Sequence, residues 1–441
     1  MATTVAQPGW SAPAAPSARP TPPNRATPTR VRLIATLLTV ALLALMAVTA
    51  AAFLQARARA QTVTSRAATA ATAGDLYFAL ADLDAEAARL VMLGDGDFQT
   101  AGDGVFAGNH LSALSAYNAR TAQVDADLQA LAGAPGVDTS ALAGDVTQYR
   151  SIADAAIGLD EYPGAFAGSP TQTAVGYYGR AETLMRNVVL VAAAQLRDRT
   201  VSASTSAAAA AHTWALVGLI GTSVLGVATA GALIVAQRAF ARWYRRRLNP
   251  ALLAATAVTV ALLGGAAVAL TAASQDASVA GGRLTAYLQV VDTRADSYDT
   301  DGAAVRSVLM PFLDWNIVTQ KTRAVDEDLK GLGSAATDSA KLWNAGPDAD
   351  YATIHTDVVD GDVADALSVE TGTARHEDAF DFFDYDLGLQ NLSAARLASF
   401  QQASDGLTAD LGPWLWLPWA MAGAALLLVG LGIRPRLAEY R

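Results

Sequence analysis

Residues 33–54 read LIATLLTVALLALMAVTAAAFL, an apolar run that contains no charged side chain and no histidine. An α-helix of about 20 apolar residues spans the roughly 30 Å hydrocarbon core of a bilayer. Three further uncharged apolar runs follow at 214–236, 250–273 and 415–433. The sequence therefore predicts an integral membrane protein with four transmembrane helices.

The charges outside these runs are sorted by segment length. The short segments 1–32, 237–249 and 434–441 carry 12 Arg and one acid, a net charge of +11. The first long segment (55–213) has 16 acids and 10 bases, and the second long segment (274–414) has 24 acids and 9 bases. Short basic loops stay in the cytosol, whereas long loops cross the membrane largely regardless of charge. We therefore expect a multi-pass plasma-membrane protein with cytoplasmic termini and two extracytoplasmic segments.

The first long segment has apolar residues at helical spacing in four stretches. In the first stretch Leu76, Leu80, Leu83, Ala87 and Leu90 are separated by steps of four and three residues. Stripes of this kind pack against one another in helix bundles. Glycine and proline clusters separate the stretches, and no such residues interrupt the joins to the membrane helices. The pattern predicts a four-helix bundle whose outer helices continue into the membrane spans.

The second long segment is less regular. Its pattern predicts a helix from Ala273 to about Met310, a return helix from about Ala374 to Thr408, and two shorter helices between them. No stretch shows the sustained alternation that is typical of strands. The chain is therefore predicted to be all-α, with two extracytoplasmic helical bundles. The order of basic segment, span, outside segment and span occurs twice, which resembles an architectural duplication.

The predicted domain organisation follows from these observations. The first run is too long for a typical signal-peptide core, so we interpret it as an uncleaved anchor. In sequence order the regions are a disordered Pro-rich cytosolic tail (1–32), TM1 (33–54), extracytoplasmic helical bundle 1 (55–213), TM2 (214–236), a basic cytosolic loop (237–249), TM3 (250–273), acidic extracytoplasmic helical domain 2 (274–414), TM4 (415–433) and a basic cytosolic tail (434–441).

The sequence argues against catalysis by this chain. The chain contains no cysteine and no phosphate-binding loop, dinucleotide fingerprint or zinc-protease motif. The cytosolic pieces total only 53 residues, too few for a kinase or cyclase domain. Spans without charge also argue against a pump or a proton-coupled carrier. We expect no enzyme activity, no cofactor and no nucleic-acid partner.

The basic cytosolic loop is a candidate docking site. Positive-inside anchoring and contact with anionic lipid is the interpretation we favour, and docking of an acidic cytosolic partner is the alternative. The candidate residues are Arg238, Arg242, Trp243, Tyr244, Arg245, Arg246 and Arg247.

An acidic and aromatic patch near residue 380 is the second candidate site. Its residues are His376, Glu377, Phe380, Asp381 and Asp384. In a helix, Glu377, Asp381 and Asp384 lie near one face. Carboxylates with one imidazole suit a divalent cation, and the aromatic residues suit a basic partner. We favour a solvated acidic face over an aromatic core stripe, and we predict no metal site.

Residues 177–185, YYGRAETLM, and 189–196, VLVAAAQL, resemble a segment of actinobacterial four-span membrane proteins. In that family the pattern reads Tyr, Ala, Ser or Thr, Leu-Met and then Leu-Leu-Pro-Ala-Ala, and Val191 stands here in place of the proline. The Pro-rich basic tail and paired spans are also similar. The resemblance implies a glutamine-sensing relay that works with an exported glutamine-binding lipoprotein and a soluble serine/threonine kinase. The first long segment also resembles the four-helix sensor bundles of chemoreceptors, whose cytosolic signalling segments are missing here.

Two classes of function remain as hypotheses. The first is a transmembrane signalling or receptor component that passes an extracytoplasmic solute or binding-protein signal to a cytosolic partner. The alternative is a non-sensing scaffold of the cell envelope or an accessory subunit of a transporter.

Overall fold

The structure is a computed structural model of the chain that describes residues 26–94, 104–160, 167–244, 249–310, 315–372 and 374–438. Within these ranges the architecture is helical and contains no β-strand, which confirms the all-α prediction. The α-helices are α1 (Ala26–Leu93), α2 (Gly104–Ala132), α3 (Ser140–Asp160), α4 (Gln172–Leu184), α5 (Leu190–Tyr244), α6 (Pro250–Leu309), α7 (Asn316–Gly331), α8 (Thr337–Ala345), α9 (Pro347–Asp360), α10 (Val363–Thr371), α11 (Asp378–Leu411) and α12 (Leu417–Ala438).

Four of the helical stretches are long and apolar enough to cross a membrane. They are Thr29–Leu93, Gln172–Arg242, Pro250–Leu309 and Leu417–Arg434. Large apolar side chains on them are exposed, as at Val227 (69%) and Leu427 (71%). A row of exposed apolar side chains is unfavourable in water and favourable in lipid. The chain is therefore a multi-pass membrane protein with four candidate spans.

The helices of the first long segment follow the predicted pattern. α1 runs unbroken through the first apolar run and the first stripe, and α4 joins α5 through a π-helical turn at Met185–Val189. The continuity with the membrane spans is thus confirmed. Gly94, Gly136 and Gly168 have φ of 58°, 79° and 74°, a left-handed conformation that favours glycine. These glycines end helices or shape turns at the predicted breaks.

The second long segment contains more helices than predicted. α6 ends at Leu309, two residues before Pro311, and α11 forms the return helix, as expected. Between them lie four short α-helices, α7 to α10, where the sequence predicted two. Gly346 alone separates α8 from α9, and Gly361, with φ of 84°, separates α9 from α10 together with Asp362. A one-turn 3-10 helix at Gly333–Ala336 lies between α7 and α8. Such short breaks leave little trace in apolar periodicity, which explains the underestimate.

The chain divides into two compact units. Unit 1 comprises the chain up to Ala47, Val224–Leu263 and the chain from Trp419, and unit 2 comprises Val48–Ser223 and Gly264–Pro418. Three helices, α1, α5 and α6, contribute residues to both units. In unit 1 the apolar core contains residues of α1, α5, α6 and α12, including Leu42, Leu233 and Leu252.

Unit 2 contains both long segments around a single hydrophobic core. Tyr149 and Tyr178 of the first segment and Tyr385 of the second are all fully buried in it. Phe78 of α1 packs edge-on against Tyr298 of α6, with ring centroids 5.0 Å apart. The structure therefore differs from the predicted pair of bundles. The physical reason lies in α1, because its final turns, 83–93, are buried on every side and one four-helix bundle would leave one face open.

Gly226 of α5 makes a close contact in unit 1. A Cβ atom placed on Gly226 would lie 2.6 Å from Leu263 Cγ of α6, whereas a Cβ on Gly231 meets nothing within 4 Å. We expect Gly226→Ala to destabilise the protein by about 1–3 kcal/mol through overpacking. Gly231→Ala is the matched control and is expected to be neutral or stabilising by up to about 1 kcal/mol. Thermal unfolding in one detergent checks this, and equal midpoints for the two variants would contradict the contact.

Candidate functional site

The predicted docking residues lie at the end of α5. Arg238 and Arg242 are exposed on its last turns. Trp243 and Tyr244 are the last two residues of the helix, and their side chains lie outside the described part. Arg245, Arg246 and Arg247 lie outside the described residues altogether. The docking hypothesis therefore stays a prediction.

The predicted acidic and aromatic patch straddles the start of α11. His376 is exposed with φ of 67°, and Glu377 is the residue before the helix, so neither belongs to the helical face. The backbone amides of Phe380 and Asp381 donate to the carbonyl oxygen of Glu377 at 3.1 Å. Asp381 is half-buried and Asp384 is exposed. The patch thus forms a helix start with acids at its rim, and its carboxylates do not converge.

A different group of charges converges inside unit 2, around Arg89 of α1. Arg89 Nη2 donates to both carboxylate oxygens of Asp301 of α6 at 2.6 Å, and Nη1 donates to Glu86 Oε1 at 2.9 Å. The same Nη2 lies 3.6 Å from Oε1 of Glu370 of α10. Asp378, the first residue of α11, is fully buried beside them. We call these five residues the Arg89 cluster.

A second buried arginine, Arg306 of α6, joins three helices. Its side chain is 3% exposed and contacts Asp84 Oδ2 of α1 at 3.0 Å and Glu182 Oε1 of α4 at 3.3 Å. Asp299, about two turns away on α6, lies 3.5 Å from Nη2. Tyr149 of α3 donates its hydroxyl to Asp84 Oδ1 at 3.1 Å. The first and second segments are thus held together by buried charge as well as by apolar packing.

A third set of ion pairs surrounds the ring of Phe78. Arg294 of α6 donates to both oxygens of Asp386 of α11 at 2.7 and 2.8 Å, and Arg120 of α2 pairs with Asp82 of α1. The two guanidinium carbons lie 4.3 and 4.8 Å from the Phe78 ring centroid. Fork-shaped arginine pairs fix geometry as well as charge. This set orients the side chains that line the neighbouring cavity.

The cavity lies among α1, α2, α6 and α11 and has a volume of about 290 Å³. Its charged lining comprises Asp82, Glu86, Arg89, Arg120 and Asp386. Phe383, exposed at 64%, also lines the cavity and places its mouth at the surface. The volume is at the small end of the roughly 300–1,000 Å³ range of ligand pockets. The cavity therefore suits a small polar molecule.

Two buried polar atoms of the cavity residues have no hydrogen-bond partner among the described residues. They are Oδ1 of Asp82 and Nε of Arg89. An unpaired buried donor or acceptor costs on the order of 1–3 kcal/mol, and a charged one costs more. The Asp82 oxygen is a hydrogen-bond acceptor, and the Arg89 nitrogen is a donor.

Burial sets the protonation of the acids near the cavity. Burial raises the pKa of Asp82 to about 6 against the opposing effect of Arg120, and it raises the pKa of Glu86 to about 7 against that of Arg89. Burial also raises the pKa of Glu370 and of Asp378 well above the usual range, and repulsion from neighbouring acids adds to both shifts. Asp82 and Glu86 therefore change their charge near neutral pH, as groups at functional sites commonly do.

Local sequence patterns did not indicate this site. The Asp82-Leu-Asp84-Ala-Glu86 stretch lies between the apolar residues of the first stripe, and Asp378 lies inside the predicted patch without being singled out. One sequence feature could have indicated buried charges: acids and Arg89 occupy positions on several faces of a helix that also has a strong apolar stripe. The partners Asp301 and Glu370 carry no local signal.

The chain matches no protein-family model, no curated protein and no solved structure.

Proposed function

We propose that this protein is a transmembrane signalling component that binds a small zwitterionic solute in the 290 Å³ cavity. The observation that supports this most directly is the presence of two buried atoms without a hydrogen-bond partner, Asp82 Oδ1 and Arg89 Nε, on cavity residues of opposite charge. Oxygen acceptors bind an ammonium group, and a guanidinium N–H binds a carboxylate. An α-amino acid carries both groups.

The route of the signal follows chain continuity. α1 and α6 each contain an apolar run and residues at the cavity, Asp82 on α1 and Tyr298 on α6. A ligand that binds one arrangement of these helices better than another shifts the population between them. In this proposal the cavity faces the outside of the plasma membrane and both termini are cytoplasmic. The output is docking of a cytosolic partner, with Arg238, Arg242 and Arg245–Arg247 as its surface.

The resemblance to the glutamine-sensing relay supplies the partner classes. An exported solute-binding lipoprotein would deliver or present the solute, and a cytosolic serine/threonine kinase would carry the catalytic step. The chain itself would then have no enzyme activity. The alternative proposal is a scaffold, in which the buried ion pairs serve only to hold unit 2 together.

Isothermal titration of the full chain in lipid nanodiscs with L-glutamine and L-glutamate tests the proposal. We expect at least one of these zwitterions to bind. Asp82→Asn should weaken that binding roughly ten- to hundredfold, because a hydrogen bond to a charged group contributes about 1.5–3 kcal/mol. Asp384→Asn, an exposed acid on α11 that does not line the cavity, is the matched control and should bind like the wild type. No binding of either probe, or equal binding by both variants, contradicts the proposal and favours the scaffold.

A further inference from the structure

Three carboxylates of the Arg89 cluster converge from three helices. Asp301 of α6, Glu370 of α10 and Asp378 of α11 are each 0% exposed. Each offers an oxygen atom, and these three oxygens lie within 4.8 Å of one another. Both oxygens of Glu370 and both of Asp378 have no hydrogen-bond donor within the described ranges. The geometry is that of ligands arranged around one point.

The charge of the cluster is not balanced by the protein. Arg89 is the one cation in the Arg89 cluster, and it faces Glu86, Asp301, Glu370 and Asp378. With every group ionised the formal charge of the cluster is −3, and three of its four acids are fully buried. An uncompensated buried charge is strongly unfavourable, so a buried group is paired, neutralised or bound to a metal. Two added positive charges would reduce the net charge of the cluster to −1.

A separate residue, Tyr351 of α9, points to the same place. Its side chain is 2% exposed, and its hydroxyl has no hydrogen-bond partner among the residues that the structure describes. Burial raises the pKa of this hydroxyl, and the charges of Asp378, Asp301 and Glu370 raise it further. A phenol oxygen with no internal partner is an additional donor or acceptor for a ligand shell. It belongs to a fourth helix, independent of the three that carry the acids.

The carboxylates are adjacent to the cavity wall. Thr371, which follows Glu370, and Ala379, which follows Asp378, both line the cavity, as does Arg89. The cavity therefore reaches the edge of the cluster at Arg89. Arg89 holds Asp301 through two hydrogen bonds, the kind of outer support that orients a metal ligand.

We propose that Asp301, Glu370 and Asp378 bind a divalent cation of the calcium class. Calcium takes oxygen ligands at about 2.3–2.6 Å, so oxygens on opposite sides of the ion are about 4.6–5.2 Å apart, and three oxygens that lie within 4.8 Å of one another can share it. Magnesium, with bonds of about 2.0–2.1 Å, requires a tighter set. The ion would tie α10 and α11 to α6 behind the cavity. This site is independent of the proposed solute and does not rest on the proposed function.

Calcium binding to the full chain in lipid nanodiscs tests the site. The protein is first treated with a chelator, and CaCl₂ is then titrated at pH 7.5 by calorimetry and by thermal unfolding. We expect one ion per chain and a higher unfolding midpoint with calcium. Asp378→Asn should weaken binding by at least about tenfold, since loss of even an outer-shell partner costs ten- to a hundredfold. Asp384→Asn removes the same charge from an exposed position of α11 and should bind calcium like the wild type.

The outcomes are distinguishable. Glu370→Gln serves as a second ligand variant, and both ligand variants should unfold in chelator at or above the wild-type midpoint, because each removes repulsion among buried acids. Absence of calcium binding by the wild type overturns the proposal and leaves protons shared between carboxyls such as Asp378 and Asp301 as the neutralising charge. Equal affinity of wild type and Asp378→Asn overturns it as well, since the ion would then bind elsewhere.

Discussion

Replacement of Arg306 with glutamine is expected to lower the free energy of unfolding by about 3–5 kcal/mol, the cost of breaking a buried ion pair by removing one partner. The arginine side chain is 3% exposed, and its loss leaves Asp84 and Glu182 without their shared cation. At the scale of about 2–4 °C per kcal/mol found for domains of 150–250 residues, this corresponds to a fall of roughly 6–20 °C in the unfolding midpoint. Thermal unfolding of the full chain in one detergent measures it.

The control and the pH response separate lost charge from lost packing. Lys341→Gln removes an exposed cation, 71% accessible and paired with Asp338, and should change stability by less than about 0.5 kcal/mol. Burial raises the pKa of Asp84 to about 6, so acidification neutralises this carboxylate. The deficit of Arg306→Gln should therefore shrink from pH 8 to pH 5.5. A deficit that equals that of Lys341→Gln, or that grows with acidification, contradicts the electrostatic explanation.

The wild-type protein should lose stability as the pH rises from 5 to 8. Burial raises the pKa of Asp82 and of Asp84 to about 6 and that of Glu86 to about 7, whereas the unfolded values lie near 4. Between those limits the native state binds more protons than the unfolded state, so stability is full below about pH 4 and falls as the pH passes 6 and 7. Each group contributes on the order of 2–3 kcal/mol.

Other acids of unit 2 act in the same direction. Burial raises the pKa of Asp127, Asp160, Asp296 and Asp350 to values of about 6 to 7. Asp299 is an exception, because Lys321 and Arg306 together outweigh its burial and its pKa lies below the usual value. Its titration falls below the pH range in question. The summed effect of these acids is therefore still a loss of stability as the pH rises.

Thermal unfolding at pH 5, 6, 7 and 8 with chelator present checks this second expectation. The midpoint should fall by several degrees across the series. Glu86→Gln removes one titrating group and should flatten the curve between pH 6 and 8, whereas Asp384→Asn should leave its shape unchanged. A midpoint that is constant or that rises with pH would show that these acids are ionised in the folded protein at pH 5.

The membrane class and most of the long helices follow from local sequence patterns. Apolar runs such as 33–54 and the stripe from Leu76 to Leu90 are local patterns, and helices form from hydrogen bonds between residues four apart. The glycines at 94, 136 and 168 likewise act through their own backbone angles. These features need no knowledge of distant residues. The topology across the membrane and the relay function stay predictions from charge and resemblance.

Only the tertiary structure decided which helices share a core and where the charges meet. Arg89 and Asp301 are separated by 212 positions, and Arg306 and Asp84 by 222. No local pattern distinguishes an acid that is solvated, such as Asp384, from one that is fully buried, such as Asp378, six positions away. The difference arises because α11 presents one side to α6 and α10 and the other to solvent. Charge placement therefore depends on helix packing, which periodicity alone does not specify.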